Sequence, residues 1–151
     1  GLPYKKVWVY TKTMPVIDDS TIQIKRLSPQ YFYYLAKARF WVNNQNFPTY
    51  IKKRKGTTYL QTWHGTPLKK MLFDIATVQG RSDDYLERVH SATRQWDYLI
   101  SPSDYASKAF RSAFKYDGDI LEMGYPRNDV FFKDDKDELI ARVKGKLNLQ
   151  G

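Results

Sequence analysis

The sequence predicts an α/β fold in three layers, with a mainly parallel sheet between helices. Two observations support this class. Short β-branched or aromatic runs alternate with amphipathic stretches along the 151 residues, and at four points a proline follows the residue that ends a predicted strand or turn. With 42% hydrophobic and 16% aromatic residues, the chain is too apolar to be disordered and is the size of one domain. We therefore expect a single Rossmann-like domain over residues 1–151.

The elements follow from periodicity and composition. Strands are predicted at residues 6–10, 22–26, 39–43, 58–63, 98–101 and 120–124. Helices are predicted at residues 29–37, 67–75, 83–95, 102–115 and 136–147. In the fourth helix the spacing predicts one buried stripe, formed by Tyr105, Ala109, Ala113 and Tyr116.

The prolines mark where helices are expected to begin. They occur in the pairs Ser28-Pro29, Thr66-Pro67, Ser101-Pro102 and Tyr125-Pro126. Proline fits the first helical turn, and a preceding Ser or Thr can cap it; Asp104 also has capping-box spacing from Ser101. Such turns meet at the carboxyl edge of a parallel sheet, where ligands bind. This edge, called the rim below, is predicted to contain Asn43, Asn44, His64, Gly65, Thr66, Ser101, Ser103 and residues 125–128.

The segment Trp63-His64-Gly65-Thr66-Pro67 is the most distinctive chemical feature of the rim. Histidine titrates near neutrality and can take a proton from a hydroxyl, and Gly65 allows a tight turn or close approach of a ligand. A helix beginning at Pro67 would direct free amides at an anion, and Lys69 and Lys70 add positive charge. The pattern predicts phosphoryl or phosphodiester chemistry; the alternative is a histidine that only caps or packs at a turn.

The net charge of +9 is concentrated in the first half of the chain. Residues 1–73 contain 13 Lys and Arg but only two acidic residues, Asp18 and Asp19. No acidic residue occurs from Ser20 to Phe73. A block of four cations, called the basic block below, comprises Lys52, Lys53, Arg54 and Lys55. Such a region attracts nucleic acid, an anionic lipid surface or a phosphate-bearing substrate, unless it is only a solvated loop.

Several site classes are excluded or weak. The chain has no cysteine and only two histidines, so neither a thiol nucleophile nor a histidine-rich metal site is expected, and no cofactor or metal is predicted. No apolar run approaches the roughly 18 residues of a membrane span, which predicts a soluble chain. Glycine-rich nucleotide motifs are absent.

Three further features have both a functional and a structural interpretation. Residues 117–119 have the DxD form of some metal-dependent sugar transferases, but their glycine is typical of an ordinary turn. His90 stands alone in a predicted helix, which favours a structural role. The aromatic run at residues 31–34 could stack nucleic-acid bases, although helical spacing favours a place in the core.

Four strings carry a resemblance over most of the chain: WVNNQNFP at 41–48, YLQTWHGTPLKKMLFDI at 59–75, DYLISPSDYASKAF at 97–110 and MGYPRNDVFF at 123–132. They resemble the CDP-glycerol glycerophosphotransferases, the teichoic-acid primases and polymerases and related capsule enzymes. The resemblance implies the amino-terminal, acceptor-side half of a GT-B architecture, which is two Rossmann-like domains facing a cleft. The half that holds most of the donor nucleotide is expected to follow, and the initial glycine also suggests a piece of a larger protein.

By this resemblance, glycerol phosphate moves from CDP-glycerol to the terminal hydroxyl of a lipid-linked poly(glycerol phosphate) chain, and CMP is released. His64 matches the histidine taken as general base. The substrate contacts assigned to this chain are Asn43, Asn44, Gly65, Thr66, Lys69, Ser101, Ser103, Arg127 and Asn128. The implied location is cytoplasmic and peripheral, on the inner face of the plasma membrane, with the basic block against an anionic surface.

Two other functional classes remain open. The chain could be a binding module for an anionic polymer or a membrane surface, without chemistry of its own. It could also bind nucleic acid, but it contains neither an RNP1 motif nor a helix-turn-helix, and we expect no nucleic-acid partner. The strings do not distinguish primase from polymerase or glycerol from ribitol phosphate.

Overall fold

The computed structural model describes residues 3–15, 17–76, 82, 84–132 and 134–149. Six strands and four α-helices alternate in it: β1 Lys6–Tyr10, β2 Thr21–Lys25, α1 Pro29–Lys37, β3 Phe40–Asn43, β4 Thr58–Gln61, α2 Tyr85–Thr93, β5 Tyr98–Ser101, α3 Asp104–Phe114, β6 Asp119–Glu122 and α4 Lys136–Leu147. Two short 3₁₀ segments lie at Leu72–Asp74 and Pro126–Phe132. The element order confirms the α/β class.

All strand pairs in the described residues are parallel, and they form two sheets. β1 pairs with β2, and a four-stranded sheet has the order β3-β4-β5-β6. The register places Asn43 beside Gln61 and Ser101 beside Glu122, so four strands end at the same edge. The result is a Rossmann-like domain whose rim is formed by the segments that follow these strands.

The predicted strand positions agree with the structure to within two residues. β4 ends at Gln61 rather than at the predicted Trp63, because Trp63 has a φ of 51° and leaves the extended conformation. β6 ends at Glu122, and Gly124 follows with a φ of 79°. Both strand ends are therefore set by left-handed backbone, which a parallel ladder does not accommodate.

The predicted helix at residues 67–75 is wrong. Residues 66–71 have no helical hydrogen bonds, and only Leu72–Asp74 forms a 3₁₀ turn. Leu72 has a φ of 50°, which ends helical backbone, and the Ser112 hydroxyl donates to the Asp74 carboxylate from α3. The segment Pro67–Met71, called the strap below, therefore crosses α3 as irregular chain and has no helix N-terminus to offer an anion.

The helix starts follow the capping chemistry, with one correction. Ser28 caps α1 as expected, because its Oγ accepts from the Tyr31 amide at 3.2 Å. The predicted capping box at Ser101 is wrong. The α3 N-cap is Ser103, whose Oγ accepts from the Ala106 amide at 3.3 Å. The predicted helix at residues 83–95 is observed as α2, and Asp83 lies outside the described residues.

The core is aromatic and lies on both faces of the sheet at β5, where Leu99 and Ile100 point in opposite directions and are both buried. The predicted buried stripe of α3 is correct at two of its four positions, since Ala113 and Tyr116 are buried. Tyr105 is 59% exposed and Ala109 is half-buried, and the residues that follow them, Ala106 and Phe110, are buried instead. The helix also buries Ser107 and Phe114.

The remaining sequence features have structural explanations. Of residues 31–34, Tyr31 is buried while Phe32 and Tyr33 are exposed, so the run is only partly core. The turn interpretation of residues 117–119 is supported, since a Cβ at Gly118 would lie 2.4 Å from the Tyr116 hydroxyl oxygen. His90 is half-buried on α2, edge-on to the Phe73 ring at 6.0 Å. Within the described ranges, no cluster of three potential metal ligands occurs.

Candidate active site

His64 lies at the carboxyl end of a central strand, as predicted. β4 is flanked by β3 and β5, and after Gln61 the Thr62 amide still donates to the Asn43 carbonyl at 2.9 Å. His64 comes two residues later, with an exposed side chain. The strand ladder behind it therefore holds the backbone while the imidazole faces the solvent at the rim.

One ring nitrogen of His64 is occupied. Its Nδ1 lies 2.7 Å from the Asn44 carbonyl oxygen. A carbonyl can only accept, so this contact assigns the hydrogen of the neutral ring to Nδ1 and leaves the Nε2 lone pair free. A free Nε2 on an oriented, exposed imidazole is the geometry needed to take a proton from a hydroxyl.

Trp63 supports His64 in a way the sequence analysis missed. The Trp63 and His64 rings are stacked, with centroids 4.1 Å apart and planes 28° apart. The Trp63 and Phe114 rings also meet edge to face, with centroids 4.7 Å apart. The turn expected at Gly65 is made by Trp63, which has the positive φ, and a Cβ at Gly65 would meet nothing within 4 Å. Gly65 therefore leaves open space beside His64.

Gln61 is the second residue that sequence reasoning missed. It is 0% exposed on β4, and its amide bonds to the backbone on both sides of the site. The signal was present in the sequence: Gln61 has the same strand parity as the buried Tyr59, so a polar side chain occupies a core position. Burial raises the pKa of Tyr59 above its ordinary value, which keeps its hydroxyl a donor, and it donates to the Gln45 carbonyl at 3.1 Å.

The rim brings further predicted residues together near β6. The Thr66 hydroxyl lies 3.4 Å from the Tyr125 hydroxyl, and the Arg127 guanidinium lies 4.8 Å from the centroid of the Tyr125 ring. Arg127 and Asn128 are exposed at the start of the 3₁₀ segment. Asn43, at the other end of the rim, accepts from the Gln45 amide through its side chain at 3.4 Å.

The two predicted serines are used within the fold. Ser101 is 0% exposed, and its hydroxyl donates to the Ser103 carbonyl at 3.0 Å. Ser103 caps α3. These bonds fix the turn between β5 and α3, so both serines shape the rim from within.

Lysine side chains, rather than helix amides, provide the positive charge on the segment that follows His64. Lys69 and Lys70 lie on the strap and line a cavity of about 180 Å³ between the strap and α3. The Asp74 carboxylate and Tyr105 also line it. The expected phosphate cradle at a helix N-terminus is therefore replaced by two long, exposed cations.

The basic block precedes β4 and lies at the opposite edge of the sheet from His64. Two of its four cations are engaged in the fold. Lys53 pairs with Asp97, and Arg54 donates from Nε to the Ala36 carbonyl at 2.8 Å near the end of α1. Lys52 and Lys55 are exposed. The freely available charge of the block is therefore about half of what the sequence suggests.

No helix within the described residues is both long and apolar enough to cross a membrane. A parallel sheet with helices connecting its strands places the described residues in the Rossmann-like class of domain. The family model described as CDP-Glycerol:Poly(glycerophosphate) glycerophosphotransferase matches residues 2–151. The chain belongs to this family.

The curated relatives that match the chain are named as teichoic acid polymerases and transferases. The chain is 37% identical over 151 residues to the teichoic acid poly(glycerol phosphate) polymerase of Bacillus spizizenii, covering 97% of this chain and 38% of the relative. Identity to the Bacillus subtilis polymerase of the same name is 38%, with 97% and 20% covered. The teichoic acid glycerol-phosphate transferase of Staphylococcus aureus is 39% identical over 131 residues, with 83% and 34% covered. The chain thus spans about a fifth to two fifths of these relatives.

Solved structures show the same fold. The wall teichoic acid polymerase TagF superposes with a TM-score of 0.88 at 38% identity, over 99% of this chain and 38% of that one. A histidine-to-asparagine variant of TagF soaked with CDPG gives a TM-score of 0.83 at 37% identity, with 96% and 37% covered. The likeness extends over nearly all of this chain.

Proposed function

We propose that this chain is the acceptor-side half of a CDP-glycerol glycerophosphotransferase in teichoic-acid or capsule synthesis. It presents the terminal hydroxyl of a lipid-linked poly(glycerol phosphate) chain to CDP-glycerol, which a second half binds. The observation that carries the proposal is the exposed His64 ring, whose Nδ1 is held by the Asn44 carbonyl at 2.7 Å, so that Nε2 is the nitrogen left to take a proton. Family membership supplies the substrates.

The reaction is a phosphoryl transfer with His64 as general base. Nε2 takes the proton of the acceptor hydroxyl as its oxygen attacks the phosphorus bonded to glycerol. The bond from that phosphorus to the oxygen bridging the two phosphates breaks, and CMP leaves with the electron pair. Removing the proton during attack prevents a positive charge from building up on the nucleophilic oxygen.

Two charged residues, one at the rim and one on the strap, hold the anionic chain in this scheme. Arg127 contacts the phosphate groups, and Lys69 provides charge from the strap. Neutral donors along the rim complete the contacts: Asn43, Asn44, Thr66 and Asn128. The open space at Gly65 admits the terminal glycerol unit close to His64.

The isolated 151-residue chain tests whether one half binds the acceptor polymer and both halves are needed for transfer. We expect it to bind short poly(glycerol phosphate) more tightly than a single-stranded oligonucleotide of equal charge, because the proposed rim contacts are to glycerol units and their phosphates rather than to bases. We also expect no appreciable CMP release from CDP-glycerol with acceptor present, and restored release once the second half is added. Calorimetric titration and a CMP assay measure both. Equal and steeply salt-dependent binding of the two polymers would leave only generic electrostatics.

A second role, binding of an anionic membrane surface, is favoured by the basic block. We propose a cytoplasmic protein that is peripheral on the inner face of the plasma membrane. Lys52 and Lys55 are exposed at the edge opposite His64, so a surface could be bound there without blocking the rim.

Replacing Lys52 and Lys55 by Gln should weaken binding to anionic vesicles by about fivefold per lysine at low salt, since each cation near such a surface contributes about 1 kcal/mol. The difference should shrink as salt rises. Vesicle sedimentation measures it, with the exposed Lys136 and Lys146 changed to Gln as the matched control. Equal vesicle binding by both double variants would show that the basic block has no special role.

Lys53→Gln should instead lower the melting temperature of the chain, because the ion pair with Asp97 is lost.

A further inference from the structure

We propose that Gln61 is a positioning residue for the transfer reaction, acting through His64. It rests on the proposed role of His64 as the base. Gln61 is 0% exposed and therefore touches no substrate. Its side-chain amide instead bonds to the two backbone segments that fix the imidazole.

The first bond fixes the segment that carries His64. The Gln61 Oε1 accepts from the Trp63 amide at 2.9 Å. Trp63 has a φ of 51°, a left-handed conformation that is sterically unfavourable for an aromatic residue. The bond and the packing of the Trp63 ring on Phe114 hold that conformation, which directs the next residue, His64, toward the rim.

The second bond fixes the segment that holds the imidazole. The Gln61 Nε2 donates to the Gln45 carbonyl at 3.1 Å and lies 3.3 Å from the Tyr59 hydroxyl. Gln45 directly follows Asn44, whose carbonyl lies 2.7 Å from the His64 Nδ1.

The buried amide of Gln61 thus bonds to the chain neighbours of both residues in the His64–Asn44 contact. Its oxygen bonds to Trp63, which precedes His64, and its nitrogen bonds to Gln45, which follows Asn44. Loss of the two Gln61 side-chain hydrogen bonds leaves the Trp63 amide without this acceptor, whereas the Gln45 carbonyl keeps the Tyr59 hydroxyl as donor. We therefore expect the distance between His64 Nδ1 and the Asn44 carbonyl to become variable, and with it the ring tautomer.

Nuclear magnetic resonance of the ring nitrogens in the 151-residue chain tests this directly. The unmodified chain should show the neutral His64 as the Nδ1–H tautomer. Gln61→Met keeps the side-chain length but neither hydrogen bond, and should give a mixture with the Nε2–H tautomer. Gln23→Met is the matched control, at a half-buried glutamine on β2 whose Oε1 has no hydrogen-bond partner among the described residues, and it should leave the tautomer unchanged. A persistent Nδ1–H tautomer in Gln61→Met would overturn the proposal.

Kinetics of the two-half transferase separates positioning from stability. Gln61→Met should lower kcat by about 10- to 100-fold, the cost of a misplaced catalytic group, with the KM for CDP-glycerol unchanged because the other half binds it. Compared with the unmodified transferase at the same pH, Gln61→Glu should recover most of the loss at low pH, where its carboxylic acid can donate to the Gln45 carbonyl and accept from the Trp63 amide. That recovery should fade as pH rises and the acid ionises. Loss without this recovery would indicate a merely structural role.

The outcome for His64 itself keeps the two proposals apart. Full turnover by a His64→Ala transferase would refute the role of His64 as base, and the catalytic role of Gln61 with it. The tautomer experiment would still show whether Gln61 holds the His64 ring. If His64→Ala loses turnover but Gln61→Met retains a normal kcat, His64 stays the base and the positioning role is refuted.

Discussion

Replacing His64 by Ala in the two-half transferase should lower kcat by about 10² to 10⁴-fold, the range for loss of a positioned general base. The reason is geometric. The Nε2 of His64 is the ring nitrogen not bonded to Asn44, and the fold orients the ring through the Asn44 carbonyl and the Trp63 ring. Steady-state CMP release over a range of acceptor concentrations measures the effect and separates kcat from KM.

The fold should survive this substitution. His64 is exposed, and the substitution removes one hydrogen bond, worth about 1 kcal/mol, and a ring stack. His90→Ala is the matched control, because His90 is half-buried on α2 and its ring contacts only Phe73 among the described aromatic pairs. Equal kcat losses for the two variants at unchanged melting temperature would remove His64 from the mechanism.

Replacing Phe114 by Ala should lower the free energy of unfolding by about 3 to 5 kcal/mol, the usual cost of emptying an aromatic core site. Phe114 is 0% exposed at the end of α3. Its ring meets Trp63 at 4.7 Å, Trp96 at 5.2 Å and Phe110 at 5.7 Å. The substitution therefore opens a cavity between α3 and the segment that carries His64.

Urea unfolding followed by circular dichroism measures this loss. Phe132→Ala is the control, since Phe132 is 85% exposed and should change the unfolding free energy by less than about 0.5 kcal/mol. A loss below about 1.5 kcal/mol for Phe114→Ala would mean that the Trp63 and Trp96 rings close over the site and that the aromatic cluster is not rigid.

Most of the fold was predictable because its signals are local. Strand runs such as Lys6–Tyr10 and Tyr98–Ser101, and helices such as Pro29–Lys37, have bounds fixed by β-branched residues, caps and prolines. The strap was not predictable in this way. Its spacing is compatible with a helix, but Leu72 adopts a φ of 50° and the Ser112–Asp74 contact ties it to α3. A tertiary contact outweighed local preference.

The site was predictable in position but not in construction. The place of His64 follows from strand topology, whereas the contact with Asn44 joins residues 20 positions apart and leaves no local signal. The positive φ was expected at a glycine but occurs at Trp63, where packing offsets the steric cost. Counting charges also overstated how much positive charge of the basic block is available. Lys53 pairs with Asp97, and this pairing depends on the fold because the two residues precede the neighbouring strands β4 and β5.

The stack of Trp63 on His64 gives the chain an internal optical reporter. A protonated imidazole in van der Waals contact with an indole quenches its fluorescence, and these two centroids are 4.1 Å apart. Trp8, Trp41 and Trp96 have no histidine among their ring contacts in the described residues. The light emitted by this chain therefore contains one component that dims when the proposed base gains a proton, so that its charge state can be followed without a label.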